Sequence, residues 1–147
     1  MIDPLLDELA ENNFLDGKLV WLGQTDGVKE ATLHGLYRAC LFTMFPSLYE
    51  GWGLPVSESL AHGKLCIASN ASSLPEAGGD LADYHAPEDV DRCLALVERA
   101  IFDPAYRTAR EERIRREYEM PSWVACAQGI IAACMVRERS ESTHQGR

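Results

Sequence analysis

Two glutamates, Glu50 and Glu58, are the residues whose type and spacing point most directly to chemistry. Seven residues, Gly51 to Ser57, separate them. Carboxylates accept charge-assisted hydrogen bonds from neutral hydroxyl groups, and the diols of ribose and hexose fit that description. A carboxylate beside a phosphate is repelled, so at least one of the two glutamates is expected to address hydroxyls. We interpret the segment as a sugar-nucleotide site.

The elements around the glutamates must then position them at one mouth. The apolar run 41–46 is typical of a buried strand that stops at Pro46. A short loop holding Glu50 follows, and Pro55 suits the first turn of a helix over 55–62 because proline lacks the N–H that a helix start leaves unpaired.

A helix that begins there has two predicted consequences. The free amides of Leu54, Val56 and Ser57 are expected to point outward with the positive end of the helix dipole, a geometry that binds phosphate or a sugar hydroxyl. Glu58 is expected to lie one turn inside the helix and to face the mouth that Glu50 reaches from the loop. The alternative is an ordinary glycine turn with two solvated carboxylates, and the bare spacing by itself favours that alternative.

The surrounding sequence favours a sugar-nucleotide site over an ordinary glycine turn. It reads PSLYEGWGLPVSESLAHG over 46–63, followed by IASN over 67–70 and SLPE over 73–76. These blocks closely resemble the retaining nucleotide-sugar glycosyltransferases of the GT-B class, above all the large group-1 family that includes many bacterial mannosyl- and glucosyltransferases. The resemblance covers about 20–123 and implies the C-terminal, donor-binding domain of such an enzyme.

The resemblance also implies roles for residues of the motif. Glu50 would hold hydroxyls of the donor sugar and stabilise charge as the glycosidic bond breaks, and Glu58 would hold the ribose. The alternatives are a solvated loop carboxylate and a helix-surface charge. The loop and helix start that would reach the donor sugar and the diphosphate are Gly51, Trp52, Gly53, Leu54, Pro55 and Val56, where glycine admits close approach.

Neighbouring residues receive other interpretations. Trp52 stands where the family often has phenylalanine, so a packing role is favoured over a stacking platform. His62 is interpreted as a structural histidine, and Glu76 as a carboxylate that caps its own helix. The segment 24–26 is predicted, by analogy of position, to border the nucleotide base.

The reaction implied by the family is transfer of a hexose from a nucleoside diphosphate to an acceptor hydroxyl with retention at the anomeric carbon. The leaving diphosphate would be stabilised by the helix N-terminus and by basic side chains. No metal or other cofactor is expected. The implied acceptor is a glycan or lipid-linked glycan bound through an N-terminal domain, and bacterial cell-surface polysaccharide assembly is a setting that family resemblance suggests.

The chain departs from its family in its basic residues. The family's phosphate-binding arginine and lysine lie earlier in the domain, and none of Lys18, Lys29 and Arg38 matches them. We therefore expect a partial domain over 1–136 that lacks its first strand–helix units, followed by a disordered polar tail over 137–147. The isolated chain is expected to be inactive.

Two rival functions stay open. The chain could be a non-catalytic nucleotide-sugar-binding or interaction domain that keeps both glutamates but transfers nothing by itself. A weaker alternative is a GT-B-like sugar-nucleotide epimerase, which is not expected to contain the whole sequence motif from Tyr49 to Glu58.

Composition narrows the class of protein. The 147 residues suit a single domain, and 46% hydrophobic with 25% charged residues is typical of a globular chain. The net charge of −9 disfavours nucleic acid as a partner, because binding there depends on neutralising phosphates. No run approaches the roughly 20 apolar residues of a membrane span, and the start lacks signal-peptide features.

The cysteines and histidines bear on the cellular compartment and on metal binding. The five cysteines form no Cys-x-x-Cys pair and are predicted to be reduced core residues of a cytoplasmic protein. The inner face of the membrane is a further option for the full-length protein. The four histidines are scattered without ligand spacing, so no metal site is predicted.

Apolar periodicity predicts alternating strands and helices, and hence an α/β fold with a Rossmann-like parallel sheet flanked by helices and a helical C-terminus. Strands are predicted over 18–23, 41–46, 65–68 and 81–85. Helices are predicted over 4–11, 30–39, 55–62, 88–101, 104–119 and 122–137, with a short helical turn at Pro75. The arginines and glutamates of the helix over 104–119 are predicted to form a solvated face with i,i+4 pairs.

Overall fold

The computed structural model of the chain describes residues 11, 16–20, 22, 28–120 and 122–142, with side chains described as far as residue 134. The chain divides into two compact units, residues 1–39 and residues 40–147. Most of the predicted helix over 4–11, and the predicted base-bordering residues Gln24, Thr25 and Asp26, lie outside the described residues.

In the first unit, the helix α1 (Glu30–Ala39) has the predicted bounds. Its Tyr37 is buried, whereas Leu36 is 43% exposed. The predicted strand over 18–23 is wrong at its described residues, 18–20 and 22, which form a turn and irregular backbone. Val20 is 70% exposed there. A strand is stabilised by a paired neighbour and by burial of its side chains, and these four residues show neither.

Three short parallel strands form the sheet described in the second unit. They are β1 (Thr43–Phe45), β2 (Cys66–Ser69) and β3 (Asp83–His85), in the order β1-β2-β3. The prediction of a parallel α/β sheet is confirmed. Each strand differs from its predicted range, because the middle strand has four residues and its neighbours pair only along that length.

The helices of this unit are α2 (Leu54–Ala61), α3 (Leu74–Gly78), α4 (Val90–Phe102), α5 (Pro104–Glu117) and α6 (Trp123–Ser142). The helices α2 and α3 are the crossovers that parallel neighbours need. Predicted and observed ends agree to within a few residues, except that α6 continues five residues past its predicted end at 137. The division at 136 into a domain and a disordered tail stays a prediction.

The middle strand β2 is buried along its whole length, so the sheet has a core on each face. Successive side chains of a strand point to opposite faces. Cys66 and Ala68 belong to one core, with residues of α2, α3 and α5 such as Leu60, Leu74 and Ile114. The other core consists of Leu65, Ile67, Leu96 and Ala100.

The helix α2 ends at Ala61, and a glycine follows its C-cap residue His62. Gly63 has a positive φ of 67°, and its N–H donates to Leu60 O at 2.9 Å. The next amide, of Lys64, donates to Ser59 O at 3.0 Å. This pair of bonds satisfies the last carbonyl groups of the helix and fixes where the chain turns back to β2.

The charged face of α5 is only in part the predicted solvated face. Its i,i+4 pairs include Arg113 with Glu117 at 2.7 Å and Arg115 with Glu111 at 2.9 Å. The side chain of Arg110, however, is only 17% exposed and pairs with Asp83 of β3 at 3.1 Å. Arg110 therefore ties α5 to the sheet, which a pattern of charges along one helix cannot reveal.

All five cysteines are free thiols, as predicted. Cys66 is buried, but Cys126 and Cys134 are exposed, so their predicted core position is wrong. Both lie on α6, whose described side chains are all exposed. Within the described residues, no helix is long and apolar enough to cross a membrane.

Candidate functional site

The loops that leave the carboxyl ends of β1 and β2 meet beside the first turn of α2. Residues 46–53 follow β1 and residues 70–73 follow β2. Ligands of open parallel sheets bind at this edge, where the strands end. Glu50 lies in the first of these loops, and Glu58 is the fifth residue of α2. That the two carboxylates converge on one ligand stays a prediction.

Glu50 is held by hydrogen bonds to both its side chain and its backbone. The Ser47 hydroxyl donates to Glu50 Oε1 at 2.8 Å. The backbone carbonyl of Glu50 accepts from the hydroxyls of Ser72 at 2.8 Å and Ser73 at 3.0 Å. Glu50 is half-buried. The loop that carries Glu50 is therefore fixed, and one of its two carboxylate oxygens has a partner within the protein.

A fourth serine completes this arrangement. Ser69, the last residue of β2, is fully buried, and its hydroxyl donates to the backbone carbonyl of Ser47. Ser72 adopts a positive φ of 54°, which is uncommon for a residue other than glycine. We refer to Ser47, Ser69, Ser72 and Ser73 as the serine cage.

Sequence reasoning missed the serine cage. Its members occur in or beside the loops that follow β1 and β2. Each hydroxyl donates to an atom of the segment 47–50. For Ser69, Ser72 and Ser73 the acceptor lies 22 or 23 positions away in the chain. The available signal was that serines cluster directly after the predicted ends of two neighbouring strands. That pattern alone does not say which atoms they hold.

The first turn of α2 begins at Gly53, which has the left-handed conformation φ 95°, ψ 47°. A Cβ at this position would stand 2.6 Å from Leu74 Cδ2 of α3. Both the dihedral angles and the close approach therefore require glycine. Pro55 lies within the first turn, as predicted.

The prediction that the amides of Leu54, Val56 and Ser57 all point outward is wrong for two of the three. The Val56 N–H donates to Gly53 O at 3.0 Å, and the Ser57 N–H donates to the same oxygen at 3.3 Å. The left-handed Gly53 turns its carbonyl over the first turn, so both amides are used inside the helix. Among the three amides expected to be free, only that of Leu54 makes no hydrogen bond within the described chain.

The surface over this turn is open. Gly51 is exposed, Trp52 is 42% exposed and Leu54 is 60% exposed. Pro55 is half-buried and Val56 is completely buried. The open residues can meet a ligand directly, whereas the Val56 side chain belongs to the core and can contribute only through the helix start that it anchors.

Glu58 is half-buried one turn into α2. Its backbone carbonyl accepts from the His62 ring, because a carbonyl only accepts and Nδ1 at 2.7 Å must donate. This bond agrees with the interpretation of His62 as a structural histidine. Glu76 lies in the first turn of α3, where its carboxylate faces the positive end of the helix dipole.

A separate open cleft of about 360 Å³ lies at the opposite end of α2. Its lining residues are Leu60, Ala61, Gly63, Ile114, Arg115, Tyr118 and Met120. None of the predicted site residues lines it. The cleft is lined by neither glutamate, so it is not the sugar-nucleotide site that the sequence predicts.

The described residues contain no group of three or more His, Cys, Asp or Glu side chains that could hold a metal ion. The expectation that no metal is used stays a prediction. The charge available to a ligand at the described site comes from the two carboxylates and from the helix start, which favours neutral hydroxyls and one anionic group.

Comparison with known proteins bears on this geometry. The sequence profile of the glycosyl transferases group 1 matches residues 5–117. The O-antigen chain mannosyltransferase B of Escherichia coli is 33% identical over 131 residues, which is 89% of this chain and 34% of the relative. The MMP alpha-(1->4)-mannosyltransferase of Mycolicibacterium hassiacum is 31% identical over 138 residues, 87% of this chain and 34% of the relative.

A third relative, the D-inositol 3-phosphate glycosyltransferase of Thermobifida fusca, is 32% identical over 108 residues, which is 70% of this chain and 24% of the relative. The chain thus spans about a third, or less, of the length of these relatives. The profile match covers most of the chain and includes both glutamates, the glycine turn and the parallel sheet. The chain therefore belongs to the glycosyl transferases group 1 family, with the α/β architecture of the C-terminal half of a GT-B glycosyltransferase.

Proposed function

We propose that this chain binds a nucleoside-diphosphate hexose and forms the donor side of a retaining hexosyl transfer to an acceptor hydroxyl. The observation that carries the proposal is that Glu50 is fixed, by its carboxylate and by its backbone, directly before the first turn of α2. A carboxylate held beside a helix start suits a ligand with hydroxyls at one end and a diphosphate at the other.

Each part of the donor has a counterpart in this proposal. Glu50 accepts from hydroxyls of the donor sugar, and Glu58 accepts from the ribose. The exposed turn Gly51, Trp52, Gly53 and Leu54 meets the sugar and the phosphates, with the Leu54 N–H as the unbonded donor. Pro55 and Val56 form the helix start whose dipole favours the diphosphate.

The bond changes define what the site must stabilise. The bond between the anomeric carbon and the diphosphate oxygen breaks, the acceptor oxygen forms a new bond to that carbon, and the proton of the acceptor hydroxyl passes to the departing diphosphate. Negative charge develops on the leaving diphosphate, so donors placed at the helix start lower the barrier. Glu50, close to the sugar, would stabilise positive charge that develops on the sugar ring.

The sugar and the acceptor are proposed by analogy. Two of the relatives described above are named as mannosyltransferases, one of them for an O-antigen chain, so we propose mannose as the first hexose to test. The acceptor is proposed to be a glycan or lipid-linked glycan, in cytoplasmic polysaccharide assembly without a metal ion. Basic residues outside the described site, and an acceptor-binding domain, are proposed to complete the reaction.

A non-catalytic nucleotide-sugar-binding domain is the second candidate. It is favoured by one observation: the Val56 and Ser57 amides donate to Gly53 O, so within the described helix start only the Leu54 N–H is left for a leaving diphosphate. Both candidates predict donor binding, and they differ only in turnover. We propose that the chain by itself binds the donor and does not transfer the sugar.

Calorimetric titration of the purified chain with UDP, GDP and ADP, and with UDP-glucose, GDP-mannose and ADP-glucose, tests the proposal. We expect saturable binding of one nucleotide and its sugar conjugate, lost in Glu58→Ala. The control is Glu112→Ala, which removes an exposed carboxylate from α5 and leaves the net charge equal to that of Glu58→Ala. Equal binding by both variants, or no binding by the folded wild-type chain, would contradict the proposal.

A further inference from the structure

The serine cage fixes one short segment from several sides. Ser69 donates to the carbonyl of Ser47, at the start of the segment, and Ser72 and Ser73 donate to the carbonyl of Glu50, at its end. Ser47 then donates within the segment to the Glu50 carboxylate at 2.8 Å, with the Tyr49 carbonyl as a second and longer acceptor at 3.2 Å. Three of the four serines belong to β2 or the loop after it, so the loop that follows β1 is tied at both ends to its neighbour.

The backbone conformation of Ser72 is further evidence that the loop after β1 is held in place. Ser72 is held in the left-handed region at φ 54°. A non-glycine residue persists there when its surroundings fix it, and such residues cluster at functional sites. Here Ser72 and the next residue, Ser73, both reach the one carbonyl oxygen of Glu50. Two donors on one backbone oxygen use both of its lone pairs and leave the loop little freedom.

The Glu50 carboxylate is divided between two tasks by this arrangement. Its Oε1 accepts from Ser47, and its Oε2 makes no hydrogen bond within the described chain. A carboxylate has acceptor capacity on both oxygens, so a ligand hydroxyl can bond Oε2 while Ser47 keeps Oε1. The contact with Ser47 also selects one orientation of a side chain that otherwise rotates about three bonds.

We propose that Ser47 is a positioning residue that orients the Glu50 carboxylate toward the donor sugar, with Ser69, Ser72 and Ser73 holding the backbone of the same segment. The proposal rests on the proposed function, since it assumes that Glu50 meets the sugar. Orientation before binding reduces the conformational entropy that the ligand must remove. The serine cage therefore strengthens binding of the sugar and leaves binding of the nucleotide unchanged.

The first test needs no ligand and uses a double-mutant cycle on urea unfolding of the full chain. Ser47→Ala, Glu50→Ala and the double variant are compared. Removing a hydrogen bond to a charged group changes an equilibrium constant by about tenfold, so we expect the two effects to be non-additive by about that factor. Ser59→Ala with Glu50→Ala is the matched control, because Ser59 is a buried serine that bonds Thr43 and the Lys64 carbonyl instead. Additivity of Ser47→Ala with Glu50→Ala to within about twofold would overturn the proposal.

The second test compares a nucleoside diphosphate with its hexose conjugate, for the UDP, GDP and ADP pairs named above. In Ser47→Ala we expect affinity for the conjugate to fall about tenfold and affinity for the free diphosphate to stay within about twofold. Ser47→Thr, which keeps a hydroxyl, should retain most of the affinity for the conjugate. Ser59→Ala should lower stability without changing the ratio of the two affinities.

The outcomes separate the two claims. If the wild-type chain binds and Glu58→Ala does not, but Ser47→Ala keeps the affinity ratio, the donor site stands and the positioning role falls. Equal losses for diphosphate and conjugate in Ser47→Ala would also overturn the positioning role, because they would show a general structural defect. If the wild-type chain binds none of the probes, the donor site and the sugar-orienting role fail together, even if the double-mutant cycle shows the contact between Ser47 and Glu50.

Discussion

Gly53 and Leu74 approach so closely that a Cβ on residue 53 would stand 2.6 Å from Leu74 Cδ2. The contact joins the first turn of α2 to α3, and Gly53 itself has a positive φ of 95°. The start of the helix that carries Glu58 is thus set by a backbone conformation, which no side-chain cap supports.

Gly53→Ala is therefore expected to destabilise the protein. An alanine at positive φ is strained, and its methyl group would overlap Leu74, so we expect a loss of about 2–4 kcal/mol in the free energy of unfolding. The measurement is urea unfolding followed by circular dichroism. Gly51→Ala is the control, since residue 51 has open space around the added carbon and should change stability by less than about 1 kcal/mol. Equal stability of the two variants would show that this contact does not set the helix start.

Arg110→Ala is expected to unfold the protein more readily than Arg116→Ala. The side chains of Arg110 and Asp83 are only 17% and 13% exposed, so loss of the guanidinium leaves a nearly buried carboxylate without its cationic partner, held only by the Tyr106 hydroxyl that donates to it. We expect a cost of about 2–3 kcal/mol. Arg116 is 68% exposed, and its removal should cost under about 0.5 kcal/mol. Thermal unfolding of the two variants side by side makes the comparison, and equal costs would mean that α5 is not tied to β3 through Arg110.

Stability is expected to fall at alkaline pH. Burial raises the pKa of the Cys66 thiol from 9.0 to about 11 and the pKa of the Tyr84 and Tyr106 hydroxyls from 10.0 to about 12. The folded state therefore keeps these protons more tightly than the unfolded state does. Their contribution is complete below about pH 9 and is lost as the pH rises from 9 to 12.

Urea unfolding at several pH values between 7 and 12 measures this loss. In Cys66→Ala the fall above about pH 9 should be smaller but not absent, because burial also raises the pKa of the Cys40 thiol from its ordinary value of 9.0. A free energy of unfolding that stays flat up to pH 11 in the wild-type chain would contradict the burial of Cys66.

The thiols are expected to differ in reactivity. Cys126 and Cys134 are exposed, whereas Cys66 is buried with its thiol held protonated by burial. The thiolate is the reactive form, so a chromogenic disulfide reagent at pH 8 should modify Cys126 and Cys134 first and Cys66 only after unfolding. Mass spectrometry of the modified peptides identifies the order. Early modification of Cys66 would show that β2 opens readily.

Local signals in the sequence predicted much of the fold. The bounds of α1 followed from its apolar periodicity, and the ends of α2 followed from Pro55 and Gly63, because a proline and a glycine act on the backbone at their own positions. The order of strands and helices followed from alternation along the chain. These features depend on residues that are close in sequence.

Features that depend on distant residues could not be predicted in this way. The serine cage joins residues 22 and 23 positions apart, and Arg110 meets Asp83 across two elements. The predicted strand over 18–23 has the composition of a strand, but its described residues lack a paired neighbour. The amides of Val56 and Ser57 were expected to be free, but both donate to the carbonyl of the left-handed Gly53. The positions of the prolines and glycines in the sequence do not show that Gly53 adopts this conformation.

We propose that the donor nucleotide sugar binds at the first turn of α2, between the loops that follow β1 and β2. Amide chemical-shift mapping by NMR, with the nucleotide sugar that binds in the calorimetric screen, locates the bound ligand. We expect the largest changes at the Leu54 amide and over residues 47–58 and 69–73. Largest changes around Leu60, Tyr118 and Met120, in the cleft at the opposite end of α2, would contradict it.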